Sequence, residues 1–479
     1  MSSLAKNSIY NVIYKVLNIV FPLITSMYVA HILMAGGIGK IALAQNVTSY
    51  FLIVSSLGIP NYGVREIAKV HNSIEKRSEV FWELFFINMI STTFCTVAYY
   101  LIVSLVPGFS TNLNLYLITG INLLLNYFNC DWFYQGIEEF KYITTRSFVI
   151  KCISFLYVIF MVRSNDDLIL YALVNCIAVA GNNIFNIVHI RKYINLKVPE
   201  IHIPRHIKPV LVMLASTIAV ELYSQIDTTM LGFTSGEVYV GYYNYAIKMA
   251  KMLVTVFAAI STAMLPRLSF YYKQGMKDEY SAIVNRVFYI LLLLCPVASI
   301  GLSMTSKYII PLFYGDSFIP AISAAEVLSF LLLIMPIGNL FGTQVLLSVG
   351  KEKFLLLSTV IGAIVNIALN SILIPIYQHL GAAIASVVAE LCVLIIQIII
   401  SSKYCKVELK IKKILKLFSA LAAMIIVLKL VEYSSIFSDG VTLLLDICLG
   451  GMVYLGICYI MKYDELKDLS NIIKTRRKK

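Results

Sequence analysis

Two lysines stand where an apolar run reaches its middle. Lys248 and Lys251 lie inside residues 240–265, and a spacing of three puts both on one helix face. At 1.5 Å per residue they sit about 21 to 26 Å from the inner end of that run. An ammonium so deep costs roughly 2.5 to 3.5 kcal/mol on insertion scales, so it faces a partner or a water-filled cavity. In the preceding run, residues 209–232, which crosses in the opposite sense, Glu221 and Asp227 reach about 18 and 27 Å by the same count. Glu221 therefore matches Lys251 in depth. Two readings stay open: a neutralised pair that pins two helices together, or charges that line a cavity and exchange partners during transport. Both can hold.

A second pattern opens the chain. Asn7, Asn11, Lys15, Asn18 and Pro22 recur at spacings of three or four, forming one polar stripe with a kink-prone residue in it. Such a stripe is expected to bond a neighbouring helix or to line a cavity. Lys15 favours the cavity, although a lysine this near the inner end can snorkel to the interface. By the same logic Lys151, inside its own apolar run, faces either a cavity or a packing partner. Further amides occur at Gln45 and Asn46, at Asn122, Asn126 and Asn129, and at Asn175, Asn182, Asn183 and Asn186. Amides, hydroxyls and tyrosines are the groups that bind sugars. The expected substrate-binding set is Lys15, Lys151, Lys248, Lys251, Asn11, Asn18, Asn46, Asn122 and Asn126, with Glu221 and Asp227 as a coupling or charge pair.

Enzymatic chemistry has little to stand on. His202 and His206 are four apart but straddle Pro204 in a loop, which disfavours metal binding there. The nine cysteines are scattered, with no CxxC pair, and read as small packing residues. No Walker loop, HExxH or nucleophile elbow occurs. Neither a cofactor nor a catalytic residue is expected.

The elements that must position these groups follow from composition. Hydrophobic residues make up 59% of the 479 and charged ones 14%, and the mean hydropathy is +0.82, far outside soluble domains. The chain reads as an all-α polytopic membrane protein. About fourteen spans are expected, at 9–33, 40–62, 80–106, 113–135, 143–163, 167–190, 209–232, 240–265, 286–312, 322–348, 354–376, 381–401, 411–431 and 441–461. Pro22, Pro60, Pro296, Pro336 and Pro375 are candidate kinks. Gly36-Gly37 and Gly232 are candidate hinges at span ends.

With the N-terminus inside, 31 of the 39 Lys and Arg fall in inner connections, 4 in outer ones and 4 within spans. This bias assigns both termini to the cytoplasm. Spans 1–6 and 7–12 then enter from the same side and align weakly: Gly39, Ala44 and Pro60 match Gly241, Ala246 and Pro266 at an offset of roughly 202 to 206. Parallel six-helix repeats are a transporter arrangement with the substrate near the midplane. The expected organisation is a first lobe over 1–205, a second over 206–403, and spans 13 and 14 with a basic tail over 404–479.

Longer strings carry a family resemblance. Phe21-Pro22-Leu23, then Ser56-Leu57-Gly58-Ile59-Pro60-Asn61-Tyr62-Gly63-Val64-Arg65-Glu66, then Asp131-Trp132-Phe133-Tyr134-Gln135-Gly136-Ile137-Glu138-Glu139-Phe140-Lys141 occur in order. Gln225-Ile226-Asp227-Thr228-Thr229-Met230-Leu231-Gly232, Val240-Gly241-Tyr242-Tyr243 and Leu380-Gly381-Ala382-Ala383-Ile384-Ala385 extend them through span 12. Together they resemble the polysaccharide transporter family, the Wzx-type O-antigen or capsule repeat-unit flippases of the MATE-like exporter superfamily. The resemblance implies two six-helix lobes around a cationic cavity, with helices 13 and 14 forming a lateral groove for a lipid tail. It also implies outward movement of undecaprenyl-diphosphate-linked oligosaccharide across a bacterial cytoplasmic (inner) membrane. The implied partners are that lipid-linked substrate, membrane lipids, and polymerase and assembly proteins, with the chain acting as a monomer. Cavity charges vary within the family, so no site list is carried over. A drug/cation antiporter of the same fold would prefer acidic midplane groups. A membrane polymerase or glycosyltransferase would need a sizeable outer loop, and the expected outer connections are short.

The charge alternation generates a direct test. Cysteines introduced at Ser110 and Asp439 are expected to react with an impermeant maleimide in intact cells, and one at Lys277 only after permeabilisation. The opposite pattern would remove the orientation.

Overall fold

The computed structural model describes residues 3–434 and 438–466, without the side chains of a few helical residues, Asn11 and Lys15 among them. The described residues form helices and turns with no strand. Eleven helices are long and apolar enough to cross a membrane. Two are double: α1 (Ser3–Ser56) and α17 (Glu352–Ser401) are each two helices joined at one non-helical residue, Met34 (φ 54) and Gln378 (φ 49). A run of 50 residues is about 75 Å long, twice a bilayer core. The fourth expected span is broken into α4 (Leu113–Thr119), α5 (Ile121–Asn126) and α6 (Asp131–Gly136), each too short to count alone.

The helical breaks differ from those expected. Left-handed backbone falls on Met34, Leu57, Gly58, Gly236 and Gln378 rather than on Gly36, Gly37 or Gly232. Gly232 packs instead, since a Cβ there would lie 2.5 Å from the Leu43 side chain. Gly58 caps α2 (Ile59–Lys69), whose second residue is Pro60, the place where a helix tolerates proline best. After Pro336 the chain passes into a π-helical stretch, Asn339–Val345, a usual response to an interrupted hydrogen-bond ladder.

Packing divides the chain into two units, one of residues 1–232 with 236–241 and the other of 233–235 with 242–479. In the first, α1 packs on α3 (Ile74–Leu105) and α7 (Phe140–Met161), and α2 on α6. A buried cluster at one end gathers Tyr62, Phe81, Trp132, Phe133 and Tyr134, with Phe81 stacked on Trp132 at 5.9 Å. Gly63 fits beneath Trp132 only because it lacks a Cβ, which would come 2.4 Å from the ring. The chain after α8 (Leu168–Ala180) and α9 (Asn182–Ile190) is strapped across α3. Arg77 Nε donates to Tyr193 O (3.0 Å), Asn195 N to Ser78 Oγ (2.8 Å), Trp82 Nε1 to Asn195 O (3.1 Å) and His202 N to Glu83 (2.7 Å). It then enters α10 (Pro204–Thr234).

In the second unit the same device recurs on α13 (Lys277–Tyr314). Its Ser281, Asn285 and Tyr289, four apart on one face, hold residues 406–410. Lys406 N donates to Ser281 Oγ (3.4 Å), Asn285 Nδ2 to Lys406 O (2.7 Å), Glu408 N to Asn285 Oδ1 (2.9 Å) and Lys410 N to the Tyr289 hydroxyl (2.7 Å). The strap leads into α18 (Ile411–Ser434), which packs on α19 (Asp439–Ile460), and both contact α13.

Glycine decides one approach within the first unit. A Cβ on Gly39 would lie 1.6 Å from Glu237 O, and one on Gly241 would lie 2.1 Å from Ala35 O. These are the two glycines that the repeat alignment pairs. Gly39→Val or Gly241→Val should lower stability by about 1 to 3 kcal/mol through overpacking. Gly108→Ala, whose Cβ meets nothing within 4 Å, should stay within about 0.5 kcal/mol of the wild type. Thermal melting of the purified protein in detergent reads both.

Candidate substrate-binding site

The helix α11 (Glu237–Thr262) shows two unlike faces in the second unit. Tyr243, Tyr245, Ala246, Met249, Ala250 and Val254 are buried, and the Tyr243 hydroxyl bonds Ser386 Oγ at 2.9 Å. On the other face Lys248, Thr255, Ala259 and Thr262 are exposed and Lys251 is half-buried. This stripe of ammonium, hydroxyl and methyl groups does not suit lipid. Lys248 Nζ lies 5.7 Å from the centre of the Tyr245 ring, a cation–π contact. Within this unit neither lysine enters an ion pair with a described residue.

The first unit holds a cation of another kind. Lys151, on α7, is buried, and its ammonium donates to Asn18 Oδ1 of α1. Among the described residues no carboxylate pairs with it, so an amide dipole is its recorded partner. Asn18 is itself exposed. Sequence spacing points to both residues without joining them. Asn11 and Lys15, expected beside them, lie outside the residues with described side chains.

The remaining expected residues take varied positions. Asn122 is buried and donates to Cys176 Sγ at 3.3 Å. Asn126 is buried and donates to Ser55 Oγ (3.0 Å) and Thr92 Oγ1 (3.1 Å), while its carbonyl receives Asn88 (2.9 Å). Asn46 donates to Gln225 O (3.1 Å) and accepts from Thr229 Oγ1 (2.6 Å), in a cluster where Ser49 bonds Gln225 and Tyr50 bonds Thr229. These amides are engaged in holding helices together. Glu221 is half-buried and accepts from Gln225 Nε2 (2.9 Å), and Asp227 is buried. Both belong to the first unit, and Lys248 and Lys251 to the second, so the depth match of Glu221 and Lys251 continues as a proposal.

Other ionic clusters escape sequence reasoning because their partners are distant or lie in irregular segments. Arg146 is buried in α7 and pairs with Asp131 at 2.8 Å, while Asn186 bonds both. The Asp131-Trp132-Phe133-Tyr134 string is thereby anchored: Tyr134 donates to Asn186 O at 2.6 Å. Glu83, fully buried, accepts from Arg205 (2.6 Å) and bonds His206 (2.7 Å), whose other ring nitrogen meets the Tyr62 hydroxyl. Donor atoms of Glu79, Glu83 and His202 lie within 4.8 Å of one another. Arg205 bridges the two carboxylates (2.8 and 2.6 Å) and already fills the place a cation would take.

Comparison with known proteins supplies the context for these cations. Residues 4–271, more than half of the chain, match the family described as "Polysaccharide biosynthesis protein". The chain belongs to this family. Residues 213–372 also match the MatE family. Among curated relatives, a protein assigned as an O-antigen transporter in Escherichia coli (strain K12) is 23% identical over 81% of this chain and 94% of its own length. The lipid II flippase MurJ of Bacillus subtilis (strain 168) is 25% identical over 50% of this chain and 48% of its own length. In fold, the chain is similar to a lipid II flippase MurJ in an inward closed conformation, with a TM-score of 0.75 at 16% identity over 96% of this chain and 99% of that one. An inward-facing MATE multidrug transporter follows at 0.64 and 13% identity, over 80% and 93%. These relatives are transporters and flippases, and the chain is a transporter-type membrane protein rather than an enzyme.

The two buried cations of the first unit separate by chemistry. Asp131→Asn leaves the Arg146 guanidinium buried without its counter-charge and should cost about 3 to 5 kcal/mol. Lys151→Met removes a buried ammonium that has no counter-charge among the described residues, and the melting temperature should hold or rise. A fall in the Lys151→Met melting temperature as large as that of Asp131→Asn would make Lys151 a structural cation.

Proposed function

We propose that this protein is a flippase that carries an undecaprenyl-diphosphate-linked oligosaccharide from the cytoplasmic to the outer leaflet of a bacterial inner membrane by alternating access. The observation that carries the reading is Lys248: a lysine on the open face of α11 whose ammonium lies against a tyrosine ring, on a stripe too polar for lipid. An ammonium in this setting attracts an anion, and a diphosphate offers charge-assisted hydrogen bonds to more than one lysine at once. Lys251 on the same face supplies the second, and in the first unit Lys151, with Asn18, is a further candidate contact. Lys15, Asn11, Asn46, Asn122 and Asn126 complete the proposed contacts, the amides serving sugars. No bond is made or broken.

The relatives support the lipid-linked class of substrate, one being assigned to O-antigen transport and another being a lipid II flippase. With the cytoplasm negative, each negative charge moved outward gains about 2.3 kcal/mol per 100 mV, so the membrane potential alone could drive transfer. Coupling through Glu221 or Asp227 is the alternative source of work. A drug/cation antiporter of this fold is less well supported, because the open face of α11 is basic. Substrate and membrane lipids are the proposed partners, together with polymerase and assembly proteins, and a monomer suffices.

Reconstitution of the purified protein with a labelled lipid-linked oligosaccharide tests this directly. Exchange between leaflets without a change of mass is the expected result, and chain growth would indicate a polymerase instead. Lys248→Ala should reduce exchange at least tenfold at equal protein level, the loss of one charge-assisted contact. Lys248→Arg should retain part of it, because charge matters more here than fork geometry. Wild-type exchange by Lys248→Ala would overturn the cationic site.

A further inference from the structure

The second unit holds a cavity of about 430 Å³ where α13 begins, α18 begins and α19 has ended. Its walls carry both signs of charge: Arg286, Lys406, Lys410 and Lys413 against Asp278, Glu408 and Glu465. Much of this charge is mutually engaged. Lys413 donates to Glu465 Oε1 (2.6 Å) and lies 3.3 Å from Asp464, and Lys410 lies 3.2 Å from Glu408. One acceptor is left over. Glu465 is 7% exposed, and its second oxygen, Oε2, is buried with no hydrogen-bond partner among the described residues. A buried carboxylate oxygen without a donor is costly, and a cationic donor would fit it best.

The surroundings narrow what brings that donor. The cavity sits at helix ends, where a spanning chain leaves the hydrocarbon. Next to Lys410 and Lys413 in the chain, Leu409, Ile411 and Leu415 are exposed by 65%, 71% and 61%, an apolar stretch where α18 begins. Lys406 stands at the start of the hydrogen-bonded strap, and Arg286 adds to the positive charge of the same wall. A ligand that fits must therefore carry a donor ammonium for Glu465 Oε2, an anion for the Lys406 wall, and an apolar body for the leucine and isoleucine flank.

We propose that this cavity binds the headgroup of an aminophospholipid, with the ethanolamine ammonium on Glu465 and the phosphate on Lys406, beside Arg286. The acyl chains then lie along Leu409, Ile411 and Leu415. This site is separate from the lysines of α11 and does not depend on the transport reading. It gives the strap a second role, because Ser281, Asn285 and Tyr289 fix the backbone of 406–410 and so place Lys406 and Lys410 around the lipid.

Native mass spectrometry of the full chain in detergent, titrated separately with phosphatidylethanolamine, phosphatidylglycerol and soluble phosphoethanolamine, tests the assignment. Retained adducts should favour phosphatidylethanolamine over phosphatidylglycerol by about tenfold, the ratio expected for one charge-assisted hydrogen bond. Glu465→Gln should abolish that preference. Because Glu465 also holds Lys413, a second variant guards against misfolding: Lys406→Ala should weaken both lipids alike and leave the melting temperature of the lipid-free protein unchanged. Equal retention of the two lipids by the wild type, or an unchanged preference in Glu465→Gln, would overturn the ammonium contact. Displacement of the lipid by an equal concentration of phosphoethanolamine would overturn the lipid as its source. Absence of any adduct on the wild type would overturn the site.

Discussion

An ionised side chain in hydrocarbon needs an opposite charge, a dipole or water, and this requirement orders the polar residues of the chain. Most of its charges at or near the spans meet it with a carboxylate partner. Arg146 has Asp131, Arg205 has Glu83, Lys307 of α13 has Glu432 of α18, and Lys413 has Glu465. Each such pair ties two segments that would otherwise be held by apolar packing alone, which is weak guidance where lipid is as apolar as the interface. Among the described residues Lys151 and Lys248 are two departures. One has an amide and the other a ring, and neither arrangement neutralises a charge.

The straps show how the same chain fixes its larger parts. Each unit sends the segment that follows its last repeat helix back across its third helix, α3 or α13, and a serine near the start of that helix receives a backbone amide: Ser78 from Asn195, Ser281 from Lys406. Backbone groups that would otherwise face the membrane boundary unpaired are satisfied this way. In the first unit Glu83 adds a buried ionic lock at the entry to α10. In the second, the Lys413 contacts with Glu465 and with the rings of Tyr289 and Tyr463, at 5.0 and 5.7 Å, clamp α18 to the end of α19. The last two spans are therefore bound to their unit by directional contacts as well as by apolar ones.

Much of this is legible in the sequence, for physical reasons. Hydropathy locates spans because about 20 apolar residues are needed to cross. The strings from Ser56 to Glu66 and from Asp131 to Lys141 are distinctive because Gly63, Trp132 and Asp131 each make a contact that few substitutes could. What sequence does not supply is pairing across segments. Asp131 and Arg146 are 15 residues apart with a turn between them, and nothing in their spacing predicts that they meet. Nor does it locate the bends: Met34 and Gln378 adopt left-handed backbone that favours glycine, held there by the helices on either side. Asn122 and Asn126 read as sugar-binding amides because amide chemistry is the same whether it holds a ligand or a helix. Their burial in networks with Cys176, Ser55 and Thr92 is a tertiary fact.

A carrier also needs its cargo to favour one conformation over another, since a ligand shifts an equilibrium only by its differential affinity for the two states. Lysines without a carboxylate partner provide a means. With the site empty, the ammonium of Lys248 depends on water and a ring, and any conformation that excludes water raises its free energy. On the proposed function a bound diphosphate would remove that penalty, most in the conformation where water has been excluded, because the attraction between opposite charges grows as the local dielectric falls. A carboxylate built beside Lys248 would abolish the difference by neutralising the site in every state. On the proposed function, leaving the lysine without such a partner is what couples occupancy to closure, and the few kilocalories of insertion cost are the source of that coupling.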